Sequence, residues 1–339
     1  MRRIGIIGAT GYTGEELLRV LTRHPKVTVT FASSEQEQGQ PIRKIFPHLP
    51  HYHDMAFCSA QQATSIPVDL VFLCLPAGQS AKWARPFLEQ SVQVIDLGAD
   101  FRYNNATSYE RWCGEPHPAP ELLHQVVYGL PEWNREQIKG AQLVSNPGCY
   151  PTTVLLAVLP LLRANVLADD QIIVDSKSGL SGAGASPSKT THFGAVHENF
   201  SAYKPGRLHR HVGEMEQELS KLAGRPIQVV FTPHLVPMFR GLFSTIYIRL
   251  TSTLSRSDLI TIFNNAYHHE PFVKVLDDAL PASKLANHSN LCFLSATTVP
   301  DSDIAILFSA IDNLGKGASW QAVQNMNLML GLPETMGII

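Results

Sequence analysis

The N-terminal stretch "MRRIGIIGATGYTGEELLRVL" restricts the fold more than any other segment. A short apolar run stops at Gly8, and Gly11 and Gly14 follow at three-residue spacing. Leu17, Leu18 and Leu21 then recur on one helical face. This is strand, glycine turn and helix in immediate succession. The alternation continues: "KVTVTFASS" predicts a second strand, "GQSAKWARPFLEQ" a helix and "VQVIDLG" a further strand. "VDLVFLCLP" is almost continuously apolar, as a central parallel strand covered on both faces must be. Strands alternating with helices at this spacing predict an α/β fold with a Rossmann-type, doubly wound parallel sheet. Between Asp96 and Pro131 the pattern gives way to polar, aromatic and Pro-rich sequence, typical of loops over a site.

The second half has a different texture. "QIIVDSKSG", "IQVVFTPHLV", "GLFSTIYIRL" and "FVKVLD" predict strands, and so do "CFLSATTV" and "DIAILFSAID", which "PDSD" joins as a hairpin. Ser255 and Asp258 form a capping-box pattern ahead of "LITIFNNAYHH". The last helix, "GASWQAVQNMNLMLG", stops at Gly331 with Pro333 beyond. Clustered strands with few intervening helices predict a second, α+β domain on a mainly antiparallel sheet.

A chain of 339 residues is long enough for two such domains. The net charge of −2 offers no attraction for nucleic acid or an anionic membrane, and no apolar run reaches the ~18 residues of a membrane span. The five cysteines are odd in number, widely spaced and without a CxxC pair, which predicts a reducing, cytoplasmic setting and neither a disulfide framework nor a zinc site.

In "GATGYTGEE", G-x-x-G-x-x-G spacing between strand and helix suits a dinucleotide: small residues let the backbone approach a pyrophosphate, and the helix N–H groups point at it. Alone, such glycines often only make a tight turn. At the end of the second strand an acid would read a ribose 2′-hydroxyl. Ser33 and Ser34 stand there instead, with Arg43 and Lys44 further on, which favours NADP over NAD; the neighbouring Glu35 counts the other way.

"SNPGCYPTTVLLAVLPLL" places Cys149 after Asn-Pro-Gly and at the start of an apolar helix. A helix N-terminus stabilises a thiolate, so Cys149 is the candidate nucleophile. Cys58, Cys74, Cys113 and Cys292 fit the commoner fate of small packed residues. A base for the thiol is offered by "GRLHRHVGEMEQELSKLAG": if "LHRH" is extended, His209 and His211 face the same way. A metal would need a third ligand, and none is marked by the sequence. The Gly/Ser-rich run from Ser176 to Tyr203 suits either a substrate loop or a mere connection.

Taken together, "GATGYTGEEL", "DLGADFR", "YGLPE", "NPGCYPT", "SGLSGAG", "HRHVGE", "TPHLVPMFRG" and "DNLGKGASWQAVQNMN" resemble the N-acetyl-γ-glutamyl-phosphate reductase family, relatives of aspartate-semialdehyde dehydrogenase. The segments run in the family's order along nearly the whole chain. The resemblance implies NADPH-dependent reduction of an acyl phosphate to an aldehyde through a cysteine thioester, in arginine biosynthesis. It implies Cys149, His211 and His209 as catalytic residues. It places Gly8, Thr10, Gly11, Tyr12, Thr13, Gly14, Ser33, Ser34, Asn313, Gly315 and Gly317 at NADP(H), and Arg102, Ser181, Gly182 and Glu214 at the substrate, with no metal. It further implies an NADP-binding domain over residues 1–148 completed by a returning helix over 312–339, a catalytic and dimerisation domain over 149–311, and a homo-oligomer, dimer or tetramer. Two departures from the family's usual pattern stand out: Gly213, where Pro is common, and Ser319–Trp320, where small residues are. The alternatives are the homologous aminoadipyl-phosphate reductase of lysine biosynthesis, and a non-catalytic NADPH sensor, which would have no need of an activated thiol.

Overall fold

The computed structural model describes residues 1–338. It divides into two compact units, Met1–Pro147 joined by the chain from Ala318 onward, and Gly148–Gly317.

The first unit is built on strands β1 (Arg2–Ile7), β2 (Val27–Ser33), β3 (Leu70–Leu73), β4 (Gln93–Asp96), β5 (Val126–Tyr128) and β6 (Leu143–Ser145). They lie in the order β2-β1-β3-β4-β6-β5, every neighbouring pair parallel, as the alternating sequence predicts. All four residues of β3 are buried, which is why its sequence shows no polar alternation. The three-residue strands β5 and β6 escape sequence reading because they are too short to show a period. Helices Tyr12–Leu21 and Ser80–Glu89 cover the sheet, the latter stacking Phe87 on Phe31 with ring centroids 6.3 Å apart. Strand order reverses between β1 and β3, and open α/β sheets bind ligands beyond the strand ends at such a point.

Helix Trp320–Met329 buries four amides, Gln321, Gln324, Asn325 and Asn327, and buried amides need partners. Asn325 Nδ2 donates to Gly129 O (2.9 Å) and Asn146 Oδ1 (3.1 Å), and Asn327 Oδ1 meets His24 Nε2 at 2.9 Å. The unusual Ser319–Trp320 pair is accommodated here: Ser319 Oγ donates to Thr13 O (2.8 Å) and Trp320 Nε1 to Glu16 Oε1 (2.7 Å).

The second unit holds β7 (Gln171–Ser178), β8 (Ser201–Ala202), β9 (Gln228–Leu235), β10 (Leu242–Arg249), β11 (Val273–Val275), β12 (Cys292–Thr298) and β13 (Ile304–Ile311). The order is β11-β12-β13-β10-β7-β9-β8. Pairing is antiparallel from β12 to β7 and between β8 and β9, and parallel for β11–β12 and β7–β9. The sheet is mixed with a mainly antiparallel centre, and β12–β13 is the expected hairpin. Helix Arg256–Tyr267 opens on the Ser255–Asp258 capping box. Helix Cys149–Arg163 is apolar on every side and buried almost throughout, so it is a core helix rather than an amphipathic one. No helix among the described residues is long and apolar enough to cross a membrane.

Candidate active site

Within the first unit, the glycine turn is a place where side chains do not fit. Gly8 has φ +81°, and a Cβ there would lie 2.5 Å from Cys74 O. A Cβ on Gly14 would lie 2.6 Å from Gly8 O. Gly11 is the N-cap of helix Tyr12–Leu21, so Tyr12, Thr13 and Gly14 form its first turn, the helix end that favours an anion. β2 comes alongside: Gly8 N–H donates to Ser33 Oγ (3.3 Å), and the Thr10 and Ser34 hydroxyls are 3.0 Å apart. A cavity of about 580 Å³ opens at the ends of β1, β2 and β3, lined by Gly8, Ser33, Ser34, Glu35, Leu75 and Lys82 among others. A glycine cradle beside hydroxyls and an adjoining cavity fits a dinucleotide. The cations expected at this site are elsewhere: Arg43 bonds His53 and Lys44 bonds Gln40, and neither lines the cavity. Lys82 does, from a helix that the pattern of charges after β2 does not mark.

Arg102 is also in this unit and is buried. Its Nε donates to Asn146 O (3.1 Å) and its Nη2 to Leu97 O (2.9 Å), so the guanidinium ties down the backbone three residues before Cys149. Nearby Asp100 accepts N–H bonds from Gly78 (2.6 Å) and Ala81 (3.1 Å) at the start of helix Ser80–Glu89. Asp96 is buried beside it, and desolvation followed by the Asp100 charge pushes its carboxyl up to about 6.

In the second unit Cys149 is the first residue of a fifteen-residue helix whose N-cap is Gly148. The Gly148 N–H donates to Glu214 Oε1 at 2.7 Å, and Glu214 is wholly buried in the first turn of helix His211–Ala223. Glu214, expected at the substrate, therefore reaches the backbone that carries the thiol. The helix start also corrects the extended reading of "LHRH": Arg210 is αR and His211 is the first helical residue. The two imidazoles nevertheless meet, with ring centroids 4.6 Å apart, because the chain turns into the helix between them. The His211 backbone N–H donates to His209 Nδ1 (3.1 Å). Both rings lie edge-on to Tyr150, the residue after the thiol, at 5.7 and 5.9 Å. Tyr203 and Phe231 close the aromatic surround of His209 at 5.6 and 5.5 Å, and Tyr203 OH donates to Tyr150 OH (3.1 Å). The sequence marks Tyr150 only as the residue after the thiol, and nothing in it marks Tyr203 or Phe231.

Gly317 completes the setting of the thiol. A Cβ there would stand 2.8 Å from Cys149 Cβ, so only glycine lets the chain pass so closely behind it. Gly315 and Gly317 belong to a π-helical turn over Gly315–Ser319, which lies ahead of the last α-helix. Asn313 braces two loops of this unit: its Nδ2 donates to Ser181 Oγ (2.8 Å) and its Oδ1 accepts from Gly241 N–H (2.9 Å). Gly182 is close-packed, since a Cβ would lie 2.8 Å from Ser178 Oγ. Gly213 is buried inside its helix and interrupts nothing. Among the other cysteines, burial raises the thiol pKa of Cys58, and that of Cys74 to about 12, and Cys292 is fully buried.

The architecture and the site together define a two-unit enzyme of the semialdehyde dehydrogenase type. The family model described as semialdehyde dehydrogenase, NAD binding domain, matches residues 3–141, and that described as semialdehyde dehydrogenase, dimerisation domain, matches residues 149–313. The crystal structure of aspartate semialdehyde dehydrogenase II from Vibrio cholerae, complexed with ASA, superposes with a TM-score of 0.74 over 98% of each chain at 20% identity. An aspartate semialdehyde dehydrogenase with NADP from Candida albicans gives 0.72 over 97% of this chain and 98% of that one, at 14% identity. Curated relatives are nearer in sequence. N-acetyl-gamma-glutamyl-phosphate reductase of Symbiobacterium thermophilum is 47% identical over 99% of this chain and 97% of its own. The probable chloroplastic enzyme of Arabidopsis thaliana is 45% identical over 99% of this chain and 84% of its own. The chain belongs to the N-acetyl-gamma-glutamyl-phosphate reductase family.

Proposed function

We propose that this chain reduces N-acetyl-L-glutamyl 5-phosphate to N-acetyl-L-glutamate 5-semialdehyde with NADPH, releasing phosphate, as a cytoplasmic step of arginine biosynthesis. The observation that supports this most is Cys149 at a helix start, its preceding N–H held by a buried carboxylate and two imidazoles against its neighbour Tyr150.

Partial positive charge at the helix N-terminus favours the Cys149 thiolate. The thiolate adds to the acyl carbon, and helix-start N–H groups stabilise the oxyanion. The carbon–oxygen bond to phosphate then breaks, phosphate leaves with the electron pair, and the acyl group is held as a thioester. Bound NADPH supplies a hydride to that acyl carbon. His211 gives a proton to the resulting oxyanion and takes it back as the carbon–sulfur bond breaks, releasing aldehyde and restoring the thiolate. His209 accepts at Nδ1, so its neutral form carries the proton at Nε2, and it positions His211. Arg102 supplies positive charge for the acyl phosphate. Ser181, Gly182 and Glu214 shape the substrate-binding segment, and Asn313, Gly315 and Gly317 shape the turn behind the thiol. The glycine turn from Gly8 to Gly14, with Ser33 and Ser34, binds the nucleotide.

The subunit works as a homo-oligomer, with the uncovered face of the seven-stranded sheet as the contact. Ile173 and Tyr247 are directly paired across β7 and β10 there and are 47% and 39% exposed, which suits a second copy better than water.

NADPH oxidation with two acyl phosphates tests the reaction. The N-acetylglutamyl compound is expected to exceed the aminoadipyl one in kcat/KM by about tenfold or more, the worth of one misplaced methylene. A reversed preference would move the chain to lysine biosynthesis, and no turnover of either would remove the reductase reading.

A further inference from the structure

We propose that Lys82, acting with Ser34, selects a dinucleotide that bears a 2′-phosphate on its adenosine ribose. The proposal deepens the reductase reading above and rests on it for the nature of the cofactor.

The cavity beside the glycine turn has one basic residue in its lining, Lys82, and one acidic residue, Glu35. The two are not equivalent. Glu35 Oε1 accepts the Ala60 N–H at 2.8 Å, which tethers the carboxylate to the start of a short helix. Lys82 is in the first turn of helix Ser80–Glu89, exposed, with its ammonium 4.8 Å from the centre of the Trp83 ring. Among the described residues it has no carboxylate partner. An exposed ammonium resting on an aromatic face can turn its three donors to an incoming anion.

In the same lining Ser33 ends β2 and Ser34 follows it, where a dinucleotide's adenosine ribose is read in folds of this kind. Ser33 Oγ accepts the Gly8 N–H, and Ser34 Oγ accepts the Glu37 N–H (3.3 Å) while sharing a hydroxyl contact with Thr10. As a hydroxyl, Ser34 still has one hydrogen that can turn to donate. A hydroxyl and an ammonium in one lining match the dianionic 2′-phosphate of NADP(H). The 2′-hydroxyl of NAD(H) would ask for the tethered Glu35 instead. Arg43 and Lys44, nearer in sequence, are occupied with His53 and Gln40.

The test compares wild type, Lys82→Ala and Lys82→Arg in two ways. In turnover with the acyl phosphate, Lys82→Ala is expected to raise KM for NADPH by about tenfold or more, the worth of a charge-assisted hydrogen bond, and to move KM for NADH by less than about twofold. Lys82→Arg should restore most of the preference. In direct titration without acyl phosphate, 2′,5′-ADP should compete with NADPH better than 5′-AMP against wild type, with the advantage lost in Lys82→Ala. Equal changes for NADPH and NADH, or an unchanged 2′,5′-ADP advantage, would overturn the assignment. Displacement of NADPH by inorganic phosphate as readily as by 2′,5′-ADP would also overturn it, by showing a general anion site. If no acyl phosphate is reduced, the reductase reading fails, and the titration still decides the role of Lys82.

Discussion

The carboxylate of Glu214 holds the backbone N–H of Gly148 at 2.7 Å, one residue before the thiol of Cys149. Sixty-six residues separate the two in sequence, and the bond is wholly buried. It joins the start of the thiol's helix to the start of the helix that carries His211, so one contact ties the spacing of Cys149 and the imidazoles.

Replacing Glu214 by Ala removes the acceptor and leaves a buried N–H without it. The expected cost is about 1–3 kcal/mol of stability and at least a tenfold loss in kcat. Glu214→Gln keeps an acceptor oxygen and should retain more of both. Urea unfolding and steady-state turnover on the three proteins measure this; equal behaviour of the Ala and Gln variants would contradict the role given to the Gly148 bond.

Gly317→Ala places a methyl 2.8 Å from Cys149 Cβ and 3.1 Å from Ile311 Cδ1, too close for either to stay put. The expected outcome is a displaced thiol, read as a slower iodoacetamide reaction at Cys149 and a lower kcat. Gly140→Ala is the control, because nothing lies within 4 Å of its Cβ position. The control should label at the wild-type rate.

Asp96 gives a pH signature. Its folded pKa is raised to about 6 by desolvation and then by Asp100, above the ordinary carboxyl value of 3.8. A group raised on folding contributes fully below its unfolded pKa, and that contribution is lost as pH rises through the folded value. Wild type should therefore lose on the order of 2 kcal/mol relative to Asp96→Asn between pH 4 and 7, with no further divergence above. Urea titrations of both proteins across that range measure the difference, and a flat difference would contradict the raised pKa.

The features legible in sequence are those whose cause is local. A glycine turn between strand and helix, an apolar central strand such as "LVFL", the Ser255 capping box and the Pro-Gly approach to Cys149 all carry their reason within a few residues. Whatever depends on distant partners stays hidden. Glu214 cannot be seen in sequence to hold Gly148, nor Asn313 to brace Ser181. The cavity at the glycine turn has Lys82 in its lining because helix Ser80–Glu89 follows β3, next to β1 in the sheet; proximity in sequence points instead to Arg43 and Lys44. "LHRH" looks extended by composition, yet Arg210 is helical and His211 opens the next helix, and the rings meet by the turn rather than by strand alternation. The π-helical turn at Gly315 has no local periodicity to announce it.

The central claim is that Cys149 carries the acyl group. The direct measurement mixes the protein with N-acetylglutamyl 5-phosphate in the absence of NADPH, then follows phosphate release and the mass of the Cys149 peptide. The account predicts a burst of about one phosphate per subunit and an N-acetylglutamyl adduct on Cys149, both absent in Cys149→Ser. Steady turnover with NADPH, without burst or adduct in its absence, would contradict it.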